Sequence, residues 1–257
     1  MNPRFHRALT DGERVVGNWI SIGHPAVGEI SAQLGFDFVV VDTEHTSTSV
    51  SELEDVIRAV DAADGDTAPL VRVPNHDPGR VKRVLDAGAA GLMFPMVETA
   101  EAAAAVVAAM QYPPDGVRGA APARASDYGR SFGAYFRDAN DALVTIVQIE
   151  TARGVENAAE IAAVDGVDAI QIGQGDLSAS LGAFGDWDDD DFTAAVAAVV
   201  DAAHAADVPV GMLALDHDDI DRWLDAGVDF MQVGADMVYL AEGAEAARSH
   251  FEEAVGE

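Results

Sequence analysis

Eight short apolar runs, each closed by polar or glycine residues and followed by a helix-like stretch, recur along this chain: Val15–Ile20, Phe38–Val41, Pro69–Val73, Gly91–Phe94, Leu143–Ile149, Ala169–Ile172, Pro209–Leu213 and Phe230–Val233. Strand then helix, repeated, demands a parallel sheet with helical crossovers. The lead-ins resemble one another: Leu34-Gly35-Phe36-Asp37, Asp86-Ala87-Gly88-Ala89, Asp165-Gly166-Val167-Asp168 and Asp225-Ala226-Gly227-Val228-Asp229 each end a helix with glycine and turn into a strand. Helix starts carry caps, Ser49-Val50-Ser51-Glu52 as a capping box and Asp77-Pro78 as N-cap plus first-turn proline. Eight such units, with no G-x-G-x-x-G or P-loop motif, predict an α/β fold of the (β/α)8 TIM barrel type rather than a doubly wound open sheet. A single barrel domain over residues 1–257 accommodates them.

One connection departs from the pattern. Between the helix predicted over Thr99–Met110 and the strand at Leu143, about thirty residues run through Tyr112-Pro113-Pro114-Asp115-Gly116 and Ala123-Arg124-Ala125-Ser126. A loop of that length is expected to be a lid or a subunit contact. The acidic run Asp186–Asp191 reads as a solvated helix N-terminus.

Composition narrows the function. Acidic residues outnumber basic ones 45 to 15 and the net charge is -30, so polyanionic partners such as nucleic acid and an anionic membrane surface are disfavoured. At about 1 M salt the Debye length falls to about 3 Å and self-repulsion largely vanishes, as suits the cytoplasm of a salt-accumulating halophile. Cysteine is absent, which excludes disulfides and thiolate chemistry. No secretory leader or run of 18 apolar residues is present, so a cytoplasmic protein is expected. Lys82 is the one lysine and sits mid-helix, which disfavours Schiff-base chemistry and turns attention to a metal ion.

In such a barrel the residues that follow the strands converge on one pocket. They are Trp19, Asp42-Thr43-Glu44-His45, Arg72, Gln148, Glu150 and Gly173-Gln174-Gly175-Asp176. Glu150 and Asp176, from successive strand ends, offer two hard oxygen ligands for Mg2+ or Mn2+; the alternative is that each caps a helix or pairs with an arginine, such as Glu150 with Arg153. His45 is a candidate general base. Arg72 closes an apolar strand and needs an anionic partner, either an enolate or carboxylate of a substrate or a salt bridge with Glu44 or Asp42. Uncovered backbone N–H groups around Gly175 would receive a substrate carboxylate, unless the glycines form a plain turn.

These residues, together with Val71-Arg72 followed by Asn75-His76-Asp77-Pro78, Phe94-Pro95-Met96-Val97, Tyr112-Pro113-Pro114-Asp115-Gly116-Val117-Arg118-Gly119, Gln148-Ile149-Glu150-Thr151 and Ile172-Gly173 with Gly175-Asp176-Leu177-Ser178, resemble the HpcH/HpaI aldolase family from about Trp19 to Gly234. The family comprises metal-dependent pyruvate aldolases, including 2,4-dihydroxyhept-2-ene-1,7-dioate and 2-keto-3-deoxy sugar acid aldolases. The resemblance implies a homohexamer of TIM barrels with the last helix exchanged between subunits. It implies Glu150 and Asp176 as ligands of a divalent metal, Mg2+ or Mn2+ with Co2+ as a further option. It makes Arg72 the stabiliser of the pyruvate enolate, and His45 the acid–base histidine, paired with Asp86 of a neighbouring subunit. Trp19, Asp42 and Gln148 become pocket residues, and Gly175 and Asp176 the backbone donors to the substrate carboxylate. Two segments depart from the family: Gln174-Gly175 stands where proline and alanine are common, and Asp127-Tyr128-Gly129-Arg130 is unusual.

The expected activity is class II aldol cleavage of a 4-hydroxy-2-oxo acid, such as a 2-keto-3-deoxy sugar acid, to pyruvate and an aldehyde. A malyl- or citryl-thioester lyase and a non-catalytic barrel are the alternatives; the first lacks a basic patch for coenzyme A, and the second should have lost Glu150, Asp176, Arg72 or His45.

Overall fold

In the computed structural model, which describes residues 3–256, β1 (Val16–Ile20), β2 (Phe38–Asp42), β3 (Ala68–Arg72), β4 (Gly91–Phe94), β5 (Val144–Ile149), β6 (Ala169–Ile172), β7 (Val210–Ala214) and β8 (Phe230–Ala235) close into one parallel barrel in sequence order. Each strand pairs with its successor, and β8 returns to β1 with a register shift between Gly17 and Trp19. The expected TIM barrel is the observed fold.

The pleat sorts side chains by parity. Val39, Val41, Val71, Val147 and Ile149 point outward into the apolar layer beneath the helices. Phe38, Val40, Leu70, Val144, Ile146 and Phe230 point inward and fill the barrel. A Cβ on Gly17 would overlap the Phe38 ring, so a bare backbone on β1 makes room for an aromatic on β2. The helix Pro3–Thr10 brings Phe5 and Leu9 into this inner cluster, with the Phe5 ring 5.1 Å from that of Phe38. That packing stops the end where the strands begin. Continuing the inward parity toward the strand ends reaches Trp19, Asp42, Arg72 and Gln148, so the polar end is the carboxyl end.

The predicted caps are present. Ser49 and Glu52 form the reciprocal capping box of the helix Val50–Ala62, Asp77 accepts from the Gly79 and Arg80 N–H groups, and Asp189 caps Asp190–His204. Each satisfies amide donors that the first helical turn leaves unpaired.

The segment read as a long loop is partly ordered otherwise, since it contains a 3-10 turn over Arg124–Gly129 and a helix over Phe132–Ala142. The helix buries Tyr135 and Ala139, a spacing of four that the loop reading passed over. It follows a helix that has already returned from β4, so it lies where strands begin and cannot close over its own chain's pocket. The last helix, Asp236–Val255, buries only Asp236 and leaves Leu240 and Phe251 exposed. No helix among the described residues is long and apolar enough to cross a membrane.

Candidate active site

Asp42 and Arg72 are register partners on β2 and β3. Arg72 donates through Nε and Nη2 to the two Asp42 carboxylate oxygens at 3.0 and 2.9 Å, its Nη1 lies 3.2 Å from Glu44 Oε2, and its Cζ sits 4.6 Å from the centre of the Trp19 ring. A planar, paired guanidinium on an aromatic face is a fixed positive charge. Both partners the sequence offered for a salt bridge are thus used, and the charge still faces the barrel mouth.

Glu150, just past β5, is buried. Its Oε1 accepts from the Met96 N–H at 2.6 Å, and its Oε2 packs against Gly173, where any Cβ would collide with it. Burial first, then the charges of Asp176 and Glu44, raise its pKa to about 7, against the lowering effects of the Met96 N–H and Arg72. Burial likewise raises Glu44, with Arg72 pulling it down. Arg153 does not reach for Glu150, since it pairs with Glu98 at 3.6 Å.

Asp176 is exposed and lies in the first turn of the helix Gln174–Ser180, whose cap residue Gly173 supplies no side-chain bond. The first N–H groups of that helix, including those of Gly175 and Asp176, are left for another acceptor. Gln174 is buried and donates to the Leu213 carbonyl at 2.5 Å, tying this turn to β7. Gln148 is buried with Oε1 lacking a hydrogen-bond partner.

Burial holds the Glu150 carboxyl near neutrality, the charges of Asp176 and Glu44 add to that, and a hard dication beside Glu150 and Asp176 would relieve both costs. The residues present fit such an ion. Among the described residues no three His, Asp or Glu side chains form a cage, so an ion on Glu150 and Asp176 would need further oxygen ligands.

His45 follows β2, is largely exposed, and has Nε2 3.7 Å from Glu44 Oε2. Asp86 is not beside it. It ends the helix Pro78–Asp86 at the opposite end of the barrel, where it accepts from Arg118 Nη2 at 3.0 Å. Lys82, on the same helix, packs near Gly119 and away from the strand ends. A cavity of about 970 Å³, lined by Arg58, Asp61, Arg124 and Tyr128 where the strands begin, holds none of these residues.

One participant escaped the sequence reading: the Met96 amide, which has no side-chain signature at all.

The sequence profile of HpcH/HpaI aldolase/citrate lyase proteins matches residues 16–242, nearly the whole barrel. The chain belongs to this family. It is 41% identical over 240 residues to the 4-hydroxy-2-oxovalerate aldolase of Novosphingobium aromaticivorans, covering 93% of this chain and 91% of that one. It is 37% identical over 253 residues to a 4-hydroxy-2-oxo-heptane-1,7-dioate aldolase of Salmonella dublin, covering 98% and 95%. A crystal structure of a family protein from Burkholderia cenocepacia superposes with a TM-score of 0.94 at 37% identity, covering 98% of this chain and all of that one. HpcH/HpaI membership makes the protein a carbon–carbon lyase of the aldolase type.

Proposed function

We propose that the protein is a class II pyruvate aldolase that reversibly cleaves a 4-hydroxy-2-oxo acid into pyruvate and an aldehyde, with a divalent ion, Mg2+ or Mn2+, held by Glu150 and Asp176. The supporting observation is the buried Glu150 carboxyl, raised to about 7 beside Asp176 and Glu44 and facing the fixed charge of Arg72. When bound, the ion acts as a Lewis acid on the 2-oxo group.

The chain's own groups do the rest. The N–H groups of Gly175 and Asp176 receive the substrate carboxylate. His45 takes the proton of the 4-hydroxyl, the C3–C4 bond breaks as C4 becomes the aldehyde carbonyl, and the bonding electrons pass into the enolate of pyruvate. Arg72, which Asp42 and Glu44 prevent from turning away, holds its charge beside the enolate oxygen. Trp19 and Gln148 line the pocket, Gln148 with an unsatisfied carbonyl oxygen ready for a donor. Proton return to C3 completes pyruvate. Asp86 of a neighbouring subunit orients His45 in this scheme, which requires an oligomer. A homohexamer with exchanged last helices fits the exposed Leu240 and Phe251 and the open apolar groove lined by Val16, Ile220, Leu224 and Val233. The charge of -30 favours a cytoplasm rich in salt and speaks against nucleic-acid or membrane partners.

The test is cleavage of 4-hydroxy-2-oxo acids in molar KCl. Chelator abolishes turnover, Mn2+ or Mg2+ restores it, and borohydride with pyruvate leaves the mass of the protein unchanged. An adduct on Lys82, or full metal-dependent turnover by Glu150→Gln, would overturn the reading.

A further inference from the structure

We propose that His76 is a positioning residue for Glu150, acting through the one peptide unit that joins Pro95 to Met96. His76 Nε2 lies 2.6 Å from the Pro95 carbonyl oxygen, and the N–H of the same peptide, that of Met96, lies 2.6 Å from Glu150 Oε1. A peptide is planar and its C=O and N–H point in opposite directions, so fixing one end aims the other. A carbonyl oxygen only accepts, and therefore Nε2 of His76 carries the proton. The ring is seated edge-on against Phe94 at 6.0 Å.

The tie has a reason to exist. Met96 holds φ at 56°, the left-handed region that a side-chain-bearing residue seldom occupies, so the segment left to itself would relax and swing its N–H away. The next amide, Val97, is anchored to the Gln148 carbonyl at 3.1 Å, which fixes the far side of the turn against β5. With Oε1 engaged by Met96, the Glu150 carboxyl presents Oε2 toward Gly173 and the helix start that carries Asp176. His76 thereby sets the orientation of a carboxylate it never touches, as outer groups around metal ligands do.

The metal arm of this inference rests on the proposed function; the geometric arm does not. The protein is prepared with 15N-methionine, and the Met96 amide, one of six methionine amides because Met1 carries an amine, is assigned by its loss in Met96→Leu. His76→Phe keeps the ring against Phe94 without the donor, and His76→Gln keeps a donor without the ring. Met96 is expected downfield in the parent and in His76→Gln and shifted upfield in His76→Phe, with Mn2+ affinity, read from free Mn2+ by electron paramagnetic resonance, falling about tenfold in the Phe variant and recovering in the Gln variant. Should His76→Phe fail to fold, His76→Met against His76→Gln makes the same comparison. A Met96 signal that stays in place when the donor is removed overturns the inference. If the parent takes up no Mn2+ while the amide still moves, the metal reading falls and the positioning role stands.

Discussion

Arg72 and Asp42 are joined at both ends, Nε to Oδ1 at 3.0 Å and Nη2 to Oδ2 at 2.9 Å, across a pair of strands that the barrel places in register. The pairing leaves the guanidinium no freedom to follow a substrate, so the substrate must come to it. Such preorganisation is what makes a fixed charge effective when an oxyanion develops.

Arg72→Lys keeps the charge but not the two-point geometry. We expect kcat/KM for aldol cleavage to fall by about 10²–10³-fold, the range for removal of one oxyanion donor. Steady-state kinetics at fixed metal concentration check this; a loss under threefold would show that geometry at Arg72 is dispensable.

Glu150 sets a pH-dependent stability of the metal-free protein. Its folded pKa of about 7 exceeds the ordinary carboxylate value, so the stability tied to its neutral form is complete below about pH 4.5 and is lost as the pH rises through about 7. The loss amounts to about 3 kcal/mol, at 1.36 kcal/mol for each pKa step. Glu150→Gln is neutral throughout and keeps an acceptor for the Met96 N–H, so with chelator present it should melt higher than the parent at pH 8 and nearly alike at pH 4.5. Calorimetry at the two values decides; equal melting at pH 8 refutes the prediction.

His6 works in the opposite compartment of the barrel. Its Nε2 lies 3.0 Å from Asp168, whose other oxygen accepts from the Thr145 N–H at 2.7 Å. The Asp168 hydrogen bond raises the His6 pKa against the opposing effect of burial, with the charges of Asp168, Asp141 and Asp11 adding to the rise. Stability from the charged pair is therefore full below about pH 6.5 and disappears as the pH rises through the elevated folded value. His6→Gln should cost more in urea midpoint at pH 5.5 than at pH 9, and a pH-independent cost would contradict this.

Salt should stabilise the whole. With a net charge of -30, moving from about 0.1 M to about 1 M KCl shortens the screening distance from about 10 to about 3 Å and weakens self-repulsion. The thermal midpoint should climb across this range, and a flat or falling one counts against the halophilic reading.

The chain's own pattern specified the barrel, because continuous apolar runs alternating with capped helices have few ways to bury both faces of a sheet. The residues after the strands were legible for the same reason, since parity carries Asp42, Arg72, Gln148 and Glu150 to one end. Other features were not local. Phe132–Ala142 was passed over because it lies in a connection where the strand–helix repeat calls for no further helix, although its buried face, Tyr135 and Ala139, has helical spacing. The choice of both Asp42 and Glu44 as partners for Arg72, and the peptide of Pro95 and Met96 stretched between His76 and Glu150, exist only once three loops share a rim. Side-chain types are written in order along the chain; the direction of a backbone N–H is set by packing, and it was packing that decided how the central carboxylate is held.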